Sequence, residues 1–343
     1  MSARALILGC AGTAFDDWER AFLRQAEPWG LIVFRRNAAN PEQLRRLVAD
    51  FREVVGRPDA PVLVDQEGGR VQRLGPPLWP AYPAAACFSR INDPQSRREA
   101  IRLGARLMAH DLAELGISVD CVPVLDVPVA GADAVIGDRA YGVDPQAVAI
   151  GGRAAAEGLL AGGVLPVIKH IPGHGRATAD SHLRLPHVGA TREELTAHDF
   201  APFRTLTDMP LAMTAHVVYS AVDSRNPATL SRRVFKEIIR GEIGYAGLVI
   251  SDDLSMKALT GSFADRTRRA YGAGCDIVLH CNANREEMDA VASVAKPLVG
   301  KAKHRAEAAL ERIRHLPEPF DAVEGRARLD ALLAGIVRRV QIH

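Results

Sequence analysis

The stretch Lys169 to His182 reads KHIPGHGRATADSH and places three histidines, a lysine and an aspartate within fourteen residues. Imidazoles titrate near neutral pH, so they can give a proton to a leaving group and take one back. Asp180 and His182 stand two residues apart. A carboxylate beside an imidazole fixes its tautomer and supports its charged form, which suits an acid/base pair. Ser181 between them could be a nucleophile, but it lacks the Gly-x-Ser-x-Gly elbow that exposes a hydrolase serine. Lys169 and His170 suit recognition of hydroxyl or carbonyl groups, and His174, beside two glycines, suits shaping of the loop. Arg73 and Arg139 suit clamping of a polar substrate, although each alone reads as a surface arginine. The competing reading of the whole stretch is a solvated surface loop. It explains less well why so many titrating groups are gathered there.

A second centre is Asp252, in the run Leu248-Val-Ile-Ser-Asp-Asp-Leu-Ser-Met256. A carboxylate at the end of a buried strand can act as nucleophile or metal ligand. Asp253 beside it suits capping of the following segment. A metal site competes, because His170, His174, Asp180 and His182 offer nitrogen and oxygen ligands to zinc. Pro172 and Gly173 break the helix that would align His170 with His174. There is also no His-Glu-x-x-His, and no His-x-His after the first strand. The expectation is therefore an enzyme with no metal and no cofactor.

Elements must bring these groups together. Val164 to Ile168 is apolar and stops at Lys169, which predicts a buried strand ending there. Pro172, Gly173 and Gly175 then forbid regular helix. Seven similar runs occur: Ala5–Gly9, Gly30–Phe34, Pro61–Val64, Val119–Val124, Pro210–Thr214, Leu248–Ile250 and Asp276–Leu279. Helical patterns alternate with them. The clearest opens at Asn40-Pro41, with Gln43 completing a capping box, and ends at Gly56. Others open at Asp93-Pro94, at Pro145, at Thr191 with Glu194, near Ser231, near Asn284 and after Lys301. Continuous apolar runs suit parallel strands buried on both faces. Alternation with helices predicts α/β architecture, and eight units predict a single-domain (β/α)8 TIM-type barrel over residues 1–343 with C-terminal helices. Asp65, Asp126, Lys169, His170, His216, Asp252 and Asn282 fall at or just beyond C-terminal strand ends. Barrel closure would gather them at one mouth.

Composition narrows the class. A net charge of +2 over 343 residues gives no nucleic-acid or membrane-surface signal. The five cysteines are odd in number and scattered, which fits free thiols in a reducing compartment. No apolar run is long enough to span a membrane, so a cytoplasmic protein is expected, with a monomer as its state.

Taken together, these residues resemble the family-three glycoside hydrolases, most closely the bacterial single-domain β-N-acetylhexosaminidases. KHIPGHG followed four residues later by DSH matches that subgroup's signature loop. Val64-Asp-Gln-Glu-Gly-Gly-Arg-Val-Gln-Arg73, Met213-Thr-Ala-His216, Pro227-Ala-Thr-Leu-Ser231, Ser251-Asp-Asp-Leu-Ser-Met256 and Ala273-Gly-Cys-Asp276 match in the same order. Ile171 stands where Phe is common in the family, and Ala140-Tyr141 where Ser-Phe is. The resemblance implies Asp252 as nucleophile and His182 as general acid/base with Asp180 as its partner. It implies that Asp65, Arg73, Arg139, Lys169 and His170 bind N-acetylglucosamine. The implied role is cytoplasmic release of that sugar from cell-wall muropeptides during recycling, by a retaining double displacement. Retaining glycosidases normally use two carboxyl groups. An imidazole in place of the second would not repel an anionic acceptor, so phosphate could replace water in the second step. The alternatives are a metal-dependent barrel hydrolase and a sugar-binding barrel without activity.

Overall fold

All eight apolar runs form strands: β1 Arg4–Leu8, β2 Pro28–Val33, β3 Val62–Val64, β4 Val119–Asp120, β5 Leu165–Ile171, β6 Leu211–Thr214, β7 Leu248–Asp253 and β8 Ile277–His280. They pair in parallel in chain order, and β8 closes onto β1 with Leu6 opposite Val278 and Leu8 opposite His280. This computed structural model describes residues 3–340. Every residue of β2, β3 and β5 is buried, as strands with side chains on one face and helices on the other require. β4 is shorter than its apolar run because Pro123 has no amide to donate. Val124 rejoins the sheet as a single bridge to Lys169. β5 is longer than expected. It runs through Lys169 and His170 to Ile171, so both residues lie within the strand, not after it.

The helices are α1 Asp17–Ala26, α2 Pro41–Val54, α3 Pro94–Ala113, α4 Pro145–Ala161, α5 Arg192–Ala197, α6 Ala201–Thr205, α7 Val234–Glu242, α8 Phe263–Ala273, α9 Arg285–Val294, α10 Gly300–Glu311 and α11 Ala322–Val340. Asn40, Asp93 and Asp144 cap α2, α3 and α4 by accepting from the N3 amide, each just before a proline. Gln43 does not complete the expected capping box. Its Oε1 reaches past Asn40 to the Ala39 amide, and its Nε2 donates to the Thr13 and Asn37 carbonyls. Thr191 and Glu194 do form a reciprocal box. Asn284 caps α9, whereas α10 has no side-chain cap, contrary to expectation. α11 lies against α3. Gly158 lets α4 approach α3 closely, since a Cβ there would strike the Arg102 carbonyl.

Asp276 closes the face away from the strands' C-terminal ends. Its Oδ2 accepts from Arg240 and from the Val249 amide, and its Oδ1 accepts from Arg305. Residues on that face of a barrel serve stability. Asp276→Ala is expected to lower unfolding free energy by about 3 kcal/mol, because it leaves a largely buried network without its anion. Urea titration measures the loss. Catalytic parameters of the folded fraction should stay near wild type, and a large change in them would give Asp276 a role at the mouth.

Candidate functional site

A cavity of about 460 Å³ opens at the C-terminal ends of the strands. Asp65, Arg73, Arg139, Lys169, His170, Asp180, His182 and Asp252 all line it, so barrel closure does gather the expected residues.

One side is a lattice of opposite charges. After β3 a short hairpin, Gln66–Gly68 against Val71–Gln72, turns the chain back on itself. Gly68 permits this, with φ of +89° and no room for a Cβ beside the Pro83 carbonyl. The hairpin aims Asp65, Glu67 and Arg73 at β5. Lys169 Nζ lies 3.0 Å from Asp65 and 2.6 Å from Glu67. Arg73 donates to Asp65 at 2.9 Å, and Arg139 grips both oxygens of Glu67 at 2.8 and 2.9 Å. Burial alone would raise the Asp65 and Glu67 carboxyls. The cations outweigh it and hold both below the usual range. Burial would likewise lower Lys169, and the two carboxylates overcome it and raise the ammonium instead. Asp120, beneath the lattice, has the opposite fate. Its Oδ1 accepts from the Gln66 amide while Oδ2 has no partner, and burial pushes the carboxyl well above its ordinary value. Sequence reading missed Glu67. Its position two residues after Asp65 in a Gly-Gly hairpin was the available signal.

Adjacent strand residues normally face opposite sides, yet Lys169 and His170 both line the cavity. The register of β5 against β6 shifts between Lys169 and Ile171, as at a bulge. Asp126 receives His170: its Oδ2 lies 2.6 Å from Nδ1, and its Oδ1 accepts from the His170 and His174 amides at 3.2 and 2.6 Å.

The following loop is firmly rooted. Arg176 pairs with Asp199 at 2.6 Å, and the Tyr219 hydroxyl donates to the Gly173 carbonyl. Gly175 packs against Val127, where a Cβ would collide with backbone. His174 is buried, and burial brings its imidazole down to about 4, so it is neutral. Its Nε2 lies 3.2 Å from Ser181 Oγ. Ser181 is thus buried against a histidine, and its carbonyl accepts from the Ala258 amide. It is an anchor, placed poorly for nucleophilic attack. Beyond this anchor the Asp180–His182 pair stands open. Asp180 Oδ1 accepts from the His182 amide and lies 2.8 Å from Nδ1, while the imidazole is 64% exposed. Burial opposes ionisation of Asp180, but these His182 contacts hold its carboxyl below the ordinary range.

Asp252 ends β7 on the cavity floor. Its Oδ1 accepts from the Asp253 amide at 2.8 Å. Among the described residues no donor meets Oδ2. Burial would raise this carboxyl, yet the neighbouring His216 and His170 imidazoles and the Asp253 amide keep it below its ordinary range, so it is an anion at neutral pH. Asp253 accepts instead from Ser255 and the Cys281 amide, which ties β7 to β8. His216, buried at the end of β6, links the Thr229 hydroxyl to the Asp253 carbonyl at 2.7 and 2.9 Å. Thr214 Oγ1 contacts Thr229 and accepts the Asp252 amide. These hydroxyls brace the floor from behind, a role that nothing in their local sequence signals.

Of the imidazoles expected to compete for zinc, His170 holds Asp126 through Nδ1, His174 lies against Ser181 through Nε2, and His182 holds Asp180 through Nδ1. Among the described residues, no three or more His, Cys, Asp or Glu side chains are arranged to hold a metal ion.

Comparison with known proteins bears on this geometry. Residues 7–316 match the family described as the glycosyl hydrolase family 3 N terminal domain. A protein named Beta-hexosaminidase from Alkalilimnicola ehrlichii is 40% identical over 321 residues, covering 92% of this chain and 84% of the relative. The crystal structure of native NagZ from Neisseria gonorrhoeae superposes with a TM-score of 0.80 at 33% identity, across 98% of both chains. A glycoside hydrolase family 3 beta-N-acetylglucosaminidase from Paenibacillus sp. gives a TM-score of 0.84 at 28% identity, and this chain spans 66% of its length.

The charge lattice predicts a pH effect with a definite sign. A carboxyl whose folded pKa is depressed stabilises the fold above its unfolded pKa, and that stability is lost as pH falls through the folded value. Glu67→Gln should therefore be less stable than wild type at pH 7. The gap should close as pH drops below about 4, the unfolded value for Glu. Denaturant titrations of both proteins from pH 7 to pH 3 measure it. A gap that is constant with pH would mean Glu67 acts by packing, not by charge.

Proposed function

We propose, from the premise that the chain belongs to glycosyl hydrolase family 3 and is a β-N-acetylhexosaminidase, that it is a retaining exo-β-N-acetylglucosaminidase acting on cell-wall muropeptides. The observation that carries this reading is the pairing, in one cavity, of an ionised Asp252 with a free oxygen and an open Asp180–His182 dyad. In the first step Asp252 Oδ2 attacks the anomeric carbon. His182, its Nδ1 held by Asp180, delivers a proton from Nε2 to the glycosidic oxygen, and the aglycone departs. In the second step the neutral imidazole takes a proton from water, whose oxygen displaces Asp252 from the sugar. Asp65, Arg73, Arg139, Lys169 and His170 bind the sugar hydroxyls, with Glu67 holding Arg139 and Lys169 in place.

Support for an anionic aglycone comes from Arg36. It lines the cavity and donates to the Cys10 and Cys281 carbonyls, and it pairs with no carboxylate among the described residues. A muropeptide carries carboxylates that such a cation attracts. Among the described residues no helix is long and apolar enough to cross a membrane. The reading goes with action as a monomer in the cytoplasm. Phosphate as acceptor in place of water fits an imidazole base, and incubation with phosphate should then yield sugar-1-phosphate. Its complete absence at high phosphate would end that part of the proposal.

Turnover of an aryl N-acetylglucosaminide is the primary test, since a sugar-binding barrel without activity would give none. A fluorinated slow substrate should label Asp252, with mass spectrometry placing the sugar on the Leu248–Met256 peptide. A label on Asp253, Asp180 or Ser181 would reassign the nucleophile. An inverted product without label would mean direct attack by water.

His182→Ala should slow natural substrates by about 10² to 10⁴, the usual worth of general acid–base help. Activated aryl glycosides need no proton in the first step, so they should lose far less there and show a burst of released aglycone. Asp180→Asn should do intermediate damage. Equal slowing of both substrate types without a burst would remove His182 from the role.

A further inference from the structure

A second carboxylate–imidazole pair lies behind the first. Asp126 is fully buried, and its three hydrogen-bond partners divide between its oxygens. Oδ2 meets His170 Nδ1 at 2.6 Å, while Oδ1 takes the His170 and His174 amides. His170 in turn lines the cavity with its side chain 9% exposed. We propose that Asp126 is a positioning residue for the reaction: it holds the proton of His170 on Nδ1, so that Nε2 is the atom presented to the sugar, and it fixes the root of the His182 loop with the same carboxylate. The inference rests on the proposed glycosidase reading and extends it to a residue that touches no substrate.

The division of partners argues for this. An oxygen facing two amide N–H groups can only accept. Burial pushes the carboxyl up, but the His170 and His174 contacts outweigh it and bring it to about 2, so the second oxygen is also an acceptor. His170 Nδ1 must then be the donor, which leaves Nε2 as the nitrogen free for the cavity. The spacing makes the effect local. His174, whose amide Asp126 holds, also anchors Ser181 through its ring, and Ser181 separates Asp180 from His182. One carboxylate thus reaches both the sugar-reading imidazole and, through His174, the acid/base loop.

Asp126→Asn is the informative variant. The amide oxygen can keep both backbone donors, which places the NH2 against His170 Nδ1. That donor forces the ring proton to Nε2 and changes what the sugar meets. With an aryl N-acetylglucosaminide, kcat/KM should fall about 10- to 100-fold, the usual cost of removing a partner that orients a histidine. In a double-mutant cycle with His170→Ala, the Asp126→Asn effect should largely vanish, because the residue it acts through is gone. Additive effects would show a general structural role and overturn the proposal. NMR of the 15N-histidine-labelled wild type gives a second arm that needs no variant to fold. It should show a far-downfield, exchange-protected proton on Nδ1 of His170, and a proton found only on Nε2 would overturn the proposal. That arm does not require turnover, so failure of the glycosidase reading and failure of the Asp126 assignment remain separate results.

Discussion

The ammonium of Lys169 is the constraint around which the mouth is arranged. Its side chain is 2% exposed. A lone charge at such a position costs several kcal/mol in desolvation, so it must be matched. Asp65 and Glu67 match it, and their own surplus of charge is met by Arg73 and Arg139. The result is a closed set of five charged groups from three segments: the β3 hairpin, the loop after β4 and β5 itself. Because Asp65, Lys169 and Glu67 are each shared between two partners, the set has few alternative arrangements. A sugar entering the cavity meets donors and acceptors already aimed, with little left to order on binding.

Against this fixed wall the Asp180–His182 pair stands in the open. Arg176, the Gly173 carbonyl, the His174 amide and the Ser181 carbonyl are all held by partners outside the loop. His182, one residue past the last anchor, has only Asp180. This division suits the two tasks. On the proposed mechanism, groups that bind the sugar must not move, whereas the proton donor must admit the substrate first. Asp252, the proposed nucleophile, belongs to the rigid half, set by the adjacent Asp253 amide and by the Thr214–Thr229–His216 brace behind it.

Family 3 membership and this geometry meet in the dyad. Two ionised carboxylates facing each other across the bond to be cleaved would repel, and one would have to hold a proton. An imidazole can carry the proton without that conflict, and Asp180 supplies the negative charge at one remove. On the proposed reading, the cavity therefore combines an anionic floor with an imidazole proton donor at its lip.

Local patterning alone specifies the eight strands, most helix starts and the Asp180–His182 pair, because each is written within a few residues. Apolar runs, Asn40, Asp93 and Asp144 before prolines, and a two-residue spacing need no distant partner. It also places Asp65, Lys169, His170 and Asp252 near one mouth, since barrel closure follows from the alternation alone. The tertiary structure decided what those residues do to one another. Lys169 meets Asp65 across 104 residues, Arg139 meets Glu67 across 72, and His170 meets Asp126 across 44. Likewise, only packing made His174 a buried neutral anchor and turned Lys169 and His170 to the same side of β5. Charge pairing depends on distance in space, and closure of the sheet sets that distance between segments whose local sequences carry no record of each other.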